Sequence, residues 1–140
     1  MNLFRLDNKV AIIPGAAGAI GSATAKLLFE QGAQLLLADV SFEKVSDLAH
    51  SLDSKVLALK ADFSLVSDCQ AAVETATKHF GRATFLSTML AFARASRFLD
   101  STEGDWEHVV AINQKSMFFC SQAAAPHLKK SRGRIVSLAS

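Results

Sequence analysis

The chain has 140 residues, of which 50% are hydrophobic, and carries 15 Lys and Arg against 13 Asp and Glu for a formal net charge of +2. That size suits one domain, and that apolar fraction supports a sizeable core and excludes a disordered chain. The balanced, interspersed charge excludes a basic nucleic-acid stripe, and no apolar run approaches the ~20 residues of a membrane span.

The first apolar run, Val10 to Ile13, ends at Pro14-Gly15 and reads as a short buried strand. Ala19 to Gln31 is predicted helical, with Ile20, Thr24, Leu27 and Leu28 on one face, and Gly32 ends it. Gln34 to Ala38 is a second strand, closed by Asp39. Ser41 can cap a helix running from Phe42 to about Leu52. Val56 to Leu59 is a third strand, followed by Asp62.

Ser64 is placed to cap the next helix, where Val66, Cys69, Val73, Ala76 and Phe80 recur at alternating spacings of three and four. Gly81 stops it. Thr84 to Leu90 is a fourth strand. Thr102-Glu-Gly-Asp105 resembles a capping box with Asp in the Glu or Gln position. It opens a long helix from about Glu103 to Lys130, which Pro126 is expected to kink or terminate. Arg134 to Leu138 is a fifth strand.

The order is therefore βαβαβαβαβ. Helical crossovers imply parallel strands, and right-handed connections imply a doubly wound α/β sheet. Residues 1–140 are expected to form one incomplete domain of this Rossmann type, ending after the fifth strand. A full sheet of this kind has the order 3-2-1-4-5-6.

Cys69 and Cys120 fit no metal spacing and lie on apolar helical faces, so buried free thiols are expected, as in a reducing cytosol. The N-terminus lacks a signal-peptide apolar core. A cytoplasmic protein is the expectation. His50, His79, His108 and His127 read as surface residues. Lys129, Lys130, Arg132 and Arg134 read as a solvated helix end, where cations meet the negative pole of the dipole.

Several residues carry chemistry at the strand ends. Gly15, Gly18 and Gly21 lie between a strand and a helix start. Glycine there allows a tight turn and a close approach to a pyrophosphate, and the helix N-terminus supplies N–H groups and positive potential. The alternative is a structural turn. Asp39 follows Gly21 by about 18 residues at the end of the second strand. A carboxylate there accepts from adenosine ribose hydroxyls and repels a 2′-phosphate, which favours NAD over NADP. The alternative is a helix-dipole acid.

Asp62 can accept from an adenine amino group or simply sit before the next helix. Asn113 falls on the long helix's stripe of Trp106, Val109 or Val110, Met117, Cys120 and Ala124. A buried amide there either anchors a proton relay at a helix distortion or bonds only for structure. Ser140 either donates to a substrate carbonyl or serves as a loop serine.

Together these pieces resemble the short-chain dehydrogenase/reductase family across essentially the whole chain. The family's Thr-Gly-x-x-x-Gly-x-Gly corresponds to Pro14-Gly15-Ala-Ala-Gly18-Ala19-Ile20-Gly21. The first and last glycines match, Ala19 stands at the middle glycine, and Pro14 stands at the threonine. The family's Asn-Asn-Ala-Gly corresponds to Thr88-Met89-Leu90-Ala91 and is lost. Asp105 to Asn113 and Gly133 to Ser140 are similar to family segments.

The resemblance implies cofactor contacts from Gly15, Gly18, Ile20, Gly21, Asp39, Asp62 and Ala91. It implies catalytic roles for Asn113 and Ser140, NAD as cofactor, and a small alcohol or carbonyl as substrate. It also implies self-association through the long helix. The family's chemistry further needs a Tyr-x-x-x-Lys pair, whose tyrosine is the general acid/base. The 140 residues contain no tyrosine. The expectation is an oxidoreductase fragment inactive alone. Its alternatives are a non-catalytic dinucleotide- or partner-binding protein, or a methyltransferase-like protein with another nucleoside cofactor.

Overall fold

The computed structural model describes residues 4–88 and 98–138. The strands are β1 (Val10–Pro14), β2 (Gln34–Asp39), β3 (Leu57–Lys60), β4 (Phe85–Thr88) and β5 (Arg134–Ser137). They form one sheet in the order β3-β2-β1-β4-β5, with every adjacent pair parallel. This is the predicted doubly wound arrangement. The helices are α1 (Ala19–Glu30), α2 (Phe42–Leu52), α3 (Val66–Phe80), α4 (Glu103–Val110) and α5 (Ser116–Ser131).

Two apolar layers follow from the period-two alternation of a strand. Ile12 of β1 and Leu36 and Ala38 of β2 face α3 and α5, where they meet Cys69, Val73, Cys120 and Ala124. Ala11, Ile13, Leu35 and Leu37 face the opposite way, onto Ala25 of α1 and Val45 and Ala49 of α2. Both faces of β1 and β2 are thus covered, so these strands read as continuous apolar runs. Ile12, Ile13, Leu35, Leu36 and Leu37 are fully buried. Each such side chain contributes on the order of 1.5–3 kcal/mol by leaving water.

Thr84 fastens β4 to β1 at the start of both strands. Its hydroxyl accepts from the Val10 N–H at 2.6 Å and faces the Val10 carbonyl at 3.1 Å. The turn from α5 into β5 docks on the same edge: the Ser131 hydroxyl donates to the Ala83 carbonyl at 2.6 Å, and the Arg134 N–H to the Thr84 carbonyl at 3.0 Å.

The long helix predicted from Glu103 to Lys130 is present as one rod with a change of winding inside it. The Thr102–Asp105 capping box forms, with Asp105 N–H donating to the Thr102 hydroxyl at 3.2 Å and Thr102 N–H donating to the Asp105 carboxylate at 3.0 Å. Asp serves in the Glu position because the N-cap amide is within reach of the shorter side chain. From Ala111 to Lys115 the rod is a π-helix, marked by the Ser116 N–H donating to the Ala111 carbonyl. The Ser116 hydroxyl donates to the Ile112 carbonyl.

Four expectations are corrected. Of the two effects expected of Pro126, termination does not occur: the helix runs on to Ser131. The carbonyl it leaves without a donor, that of Gln122, lies on the exposed side, where water can serve it. The expected face of α1 holds only in part: Leu28 packs against the core and Thr24 is half-buried, but Ile20 and Leu27 are 57% and 62% exposed, while Gly21 and Ala25 are buried. Small residues make this contact because α1 starts hard against the turn from β1. Ser64 and Ser41 cap no helix through their side chains. The Ser64 hydroxyl instead donates to Asp62 at 2.6 Å, and the start of α3 is braced by Asp68, whose carboxylate accepts the Asp62 N–H at 2.7 Å. Trp106, read as the head of the buried stripe, is 70% exposed. His50, His79 and His108 are exposed as expected, and His127 is half-buried.

Candidate functional site

Because all five strands are parallel, their carboxyl ends share one edge of the sheet. That edge is where ligands of such sheets bind. The residues singled out in the sequence converge there: Gly15 follows β1, Asp39 ends β2, and Asp62 lies just past β3.

The glycine turn is built from two constraints. Gly15 has a φ of 71°, the left-handed region that side-chain-bearing residues rarely adopt. Gly21, in the first turn of α1, sits directly under it. A Cβ on Gly21 would lie 2.2 Å from the Gly15 carbonyl oxygen and 2.9 Å from the Ala16 Cα. Only a residue without a side chain lets α1 begin this close to β1. Gly18 is different: a Cβ there would meet the Gly15 oxygen at 3.4 Å. It is exposed and is the N-cap of α1.

The N-cap glycine has no side chain to occupy the first N–H groups of α1, and the first turn holds no acidic residue. Those groups have no intrahelical partner and carry the positive end of the dipole. The turn is therefore free to receive an anion. Ala19 and Ile20 open the helix on the exposed side of the same turn. Pro14, in place of a donor-bearing residue, is tolerated because pairing of β1 with β4 already ends at Ile12 and Leu86.

Asp39 closes the turn from the other side. One carboxylate oxygen accepts the Ala17 N–H at 3.1 Å and the other accepts the Ser41 N–H at 3.0 Å. The backbone adds a further tie, from Ala16 N–H to the Ala38 carbonyl at 3.2 Å. Each carboxylate oxygen retains a second lone pair, so the group can still accept from a ligand's hydroxyls. Lys60 of β3 lies in register beside Asp39, a neighbour that strand-by-strand reading did not bring out.

Asp62 is exposed, and its carboxylate accepts from the Ser64 N–H at 3.0 Å as well as from the Ser64 hydroxyl. These bonds fix its direction at the turn into α3. Asn113 is half-buried in the middle of the π-helical segment. Such segments widen the helix and free backbone groups, and they recur at functional sites. Ser140 and Ala91 lie outside the described residues, as do Met89 and Leu90.

A cavity of about 360 Å³ opens elsewhere, lined by Lys9, Ala33, Thr84, Phe85 and Gly133. These residues precede or begin strands, so it lies at the amino edge of the sheet, opposite the glycine turn. Among the described residues, no group of three or more His, Cys, Asp or Glu is placed to hold a metal ion. No helix of the described residues is long and apolar enough to cross a membrane.

Comparison with known proteins places this geometry. The family model described as short chain dehydrogenase matches residues 9–140. Among curated relatives, the meso-2,3-butanediol dehydrogenase of Serratia marcescens is 32% identical over 137 residues, covering 97% of this chain and 55% of its own length. The oxidoreductase UcpA of Salmonella typhimurium is 34% identical over 139 residues, covering 97% and 53%. A short-chain dehydrogenase/reductase from Brucella melitensis has a solved structure that superposes with a TM-score of 0.93 at 33% identity, over 97% of this chain and 58% of that one. One from Burkholderia phymatum, solved in complex with NAD, gives 0.92 at 26% identity, over 99% and 51%. This chain thus spans little more than half the length of the relatives it matches. With the family model matching residues 9–140 and the sheet order shared, the chain belongs to the short-chain dehydrogenase family.

Proposed function

We propose that this chain is the dinucleotide-binding portion of an NAD-dependent oxidoreductase that interconverts an alcohol and a carbonyl. The observation that carries the reading is the Gly15–Gly21 turn, closed by Gly21 beneath it and by the Asp39 carboxylate beside it. That turn suits a pyrophosphate: it offers unpaired helix N–H groups and no side chain at Gly18 to obstruct approach. Asp39 would hold the adenosine ribose and disfavour a 2′-phosphate, so NAD is preferred over NADP. Asp62 would border the adenine, and Ile20 and Ala91 would line the cofactor.

When bound, the nicotinamide supplies the hydride acceptor or donor. Ser140 would donate to the substrate oxygen as charge develops on it. Asn113 would orient a proton relay from the π-helical segment. The vicinal diol named for the Serratia relative makes small diols the first substrates to try.

The second reading is a non-catalytic dinucleotide- or partner-binding protein. Two observations favour it for these 140 residues taken alone. They hold no tyrosine to act as the family's acid/base, and all four residues of β5 are exposed. A groove between β5 and α5, lined by Met117, Phe118, Ser121 and Ile135, lies open beside that edge.

Titration of the purified chain with NADH, NADPH and S-adenosylmethionine, followed by ligand fluorescence or calorimetry, tests the cofactor. NADH binding tighter than NADPH, with no binding of the methyl donor, is expected. Absence of NADH binding would refute the dinucleotide reading. Turnover of alcohols or diols no greater than that of a Ser140→Ala control is expected for the chain alone. Turnover above the control would remove the non-catalytic reading.

A further inference from the structure

Cys69 and Cys120 are remote in sequence and adjacent in space. Cys69 lies in the first turns of α3 and Cys120 in α5, on the faces by which these helices pack against the sheet and each other. They are 1% and 2% exposed, and both are free thiols. Both belong to one buried apolar cluster, and each lies about one turn from the start of its helix, so the packing of α3 beside α5 brings them to the same level. The Cys69 thiol also faces the Phe63 carbonyl at 3.6 Å. The dinucleotide reading uses neither.

We propose that this pair is an oxidative modification site, at which a peroxide converts Cys69 and Cys120 into an intrachain disulfide joining α3 to α5.

The two sulfurs are not equivalent. While the helices are packed, hydrogen bonding with Cys120 holds the Cys69 thiol below its ordinary value, with burial and the Asp68 charge opposing. The same hydrogen bond, together with burial, pushes the Cys120 thiol up. The start of α3 also favours a thiolate at Cys69 through the helix dipole. Cys69 keeps its place at the start of α3 when the contact opens, whereas Cys120 lies deep in the rod that begins at Glu103, so Cys69 is the attacking sulfur and Cys120 the resolving one.

The Cys69 thiolate attacks one peroxide oxygen and the O–O bond breaks. Cys69 becomes a sulfenic acid, and hydroxide leaves to take up a proton as water. The Cys120 sulfur then attacks the sulfenic sulfur: the S–S bond forms, the S–O bond breaks, and the Cys120 proton leaves with the hydroxide as a second water. Two thiols lose two electrons and the peroxide is reduced by two. Because both sulfurs are buried, oxidant reaches them through local opening of the α3–α5 contact, so the reaction is slow compared with that of an exposed thiol.

The test is a time course of the native chain, at low protein concentration, with hydrogen peroxide. Free thiols should fall from two per chain to none, and the intact mass should drop by two hydrogens. Tryptic mapping should join the peptide holding Cys69 to the peptide holding Cys120, and a dithiol reductant should restore both thiols. In Cys120→Ser, oxidation should stop at a sulfenic acid on Cys69 that a dimedone probe traps. Retention of two free thiols, oxygen addition at either cysteine without a link, or a link between chains would each overturn the proposal. The unmutated chain gives these readings alone, so they stand even where Cys120→Ser fails to fold.

Discussion

Asp39 holds the glycine turn in place through Ala17: its carboxylate, at the end of β2, accepts the Ala17 N–H at 3.1 Å. The acid therefore shapes the site before any ligand arrives. The cofactor role proposed for Asp39 falls on the same carboxylate, so substitution there tests both. Asp39→Ala removes the acceptor for both Ala17 and Ser41 N–H groups. A hydrogen bond to a charged group contributes about 1.5–3 kcal/mol. With two such bonds removed, a loss of at least that size is expected in urea unfolding, with loss of NADH binding. Asp39→Asn keeps one acceptor oxygen and should recover part of the stability. An unfolding midpoint for Asp39→Ala equal to that of the parent would show that the carboxylate plays no part in building the turn.

Gly21 and Gly18 should respond to the same added methyl to very different degrees. In Gly21→Ala the new Cβ meets backbone at 2.2 Å, and backbone cannot swing aside as a side chain can. Separating α1 from β1 is the only relief, and overpacking of this kind costs about 1–3 kcal/mol or more. Gly18→Ala places its methyl in ordinary contact, 3.4 Å from the Gly15 oxygen. Its stability should stay within about 0.5–1 kcal/mol of the parent's. Thermal unfolding of the two variants side by side distinguishes them, and equal losses would contradict the close packing of Gly21.

Thr84→Val tests the fastening of β4 to β1. The substitution replaces a hydroxyl with a methyl, so the buried Val10 N–H loses its 2.6 Å acceptor. A buried donor left unsatisfied costs about 1–3 kcal/mol. Urea unfolding should show that loss, with hydrogen exchange of the Val10 amide accelerated relative to its neighbours in β1. An unchanged Val10 exchange rate would indicate another acceptor.

Much of this arrangement was legible in the sequence because parallel strands covered on both faces must be apolar throughout. Val10 to Ile13 and Gln34 to Ala38 announced themselves in that way, and the strand order followed from the alternation of strands with helices. The glycine turn was legible because Gly15 and Gly21 do jobs that no other residue can. The contact face of α1 was legible only in part, since Gly21 and Ala25 are its buried residues, Leu28 and Phe29 pack at its margin, and Ile20 and Leu27 stand in solvent. A periodicity of large apolar residues marks a face loosely when the closest contacts are made by small ones. The π-helical winding around Asn113 leaves almost no trace, because it shifts the apolar stripe by a single residue. The Asp68 brace on Asp62, the Lys60 neighbour of Asp39 and the Cys69–Cys120 pair arise only when separate elements meet.

Pro126→Ala should make the chain more stable. Proline in the interior of a helix removes one backbone hydrogen bond and crowds the carbonyl four residues earlier, a cost of about 3 kcal/mol relative to alanine. Here that carbonyl belongs to exposed Gln122, so solvation recovers part of the loss. Proline also restricts the unfolded chain, which favours the folded state by about 0.4–1 kcal/mol and is forfeited on substitution. The first effect exceeds the second, and Pro126 is exposed, so no packed cavity opens. A net gain on the order of 1–2 kcal/mol is expected, seen as a higher urea midpoint with an unchanged slope. A lower midpoint would mean that the proline's restriction of the unfolded chain outweighs the hydrogen bond it removes from α5.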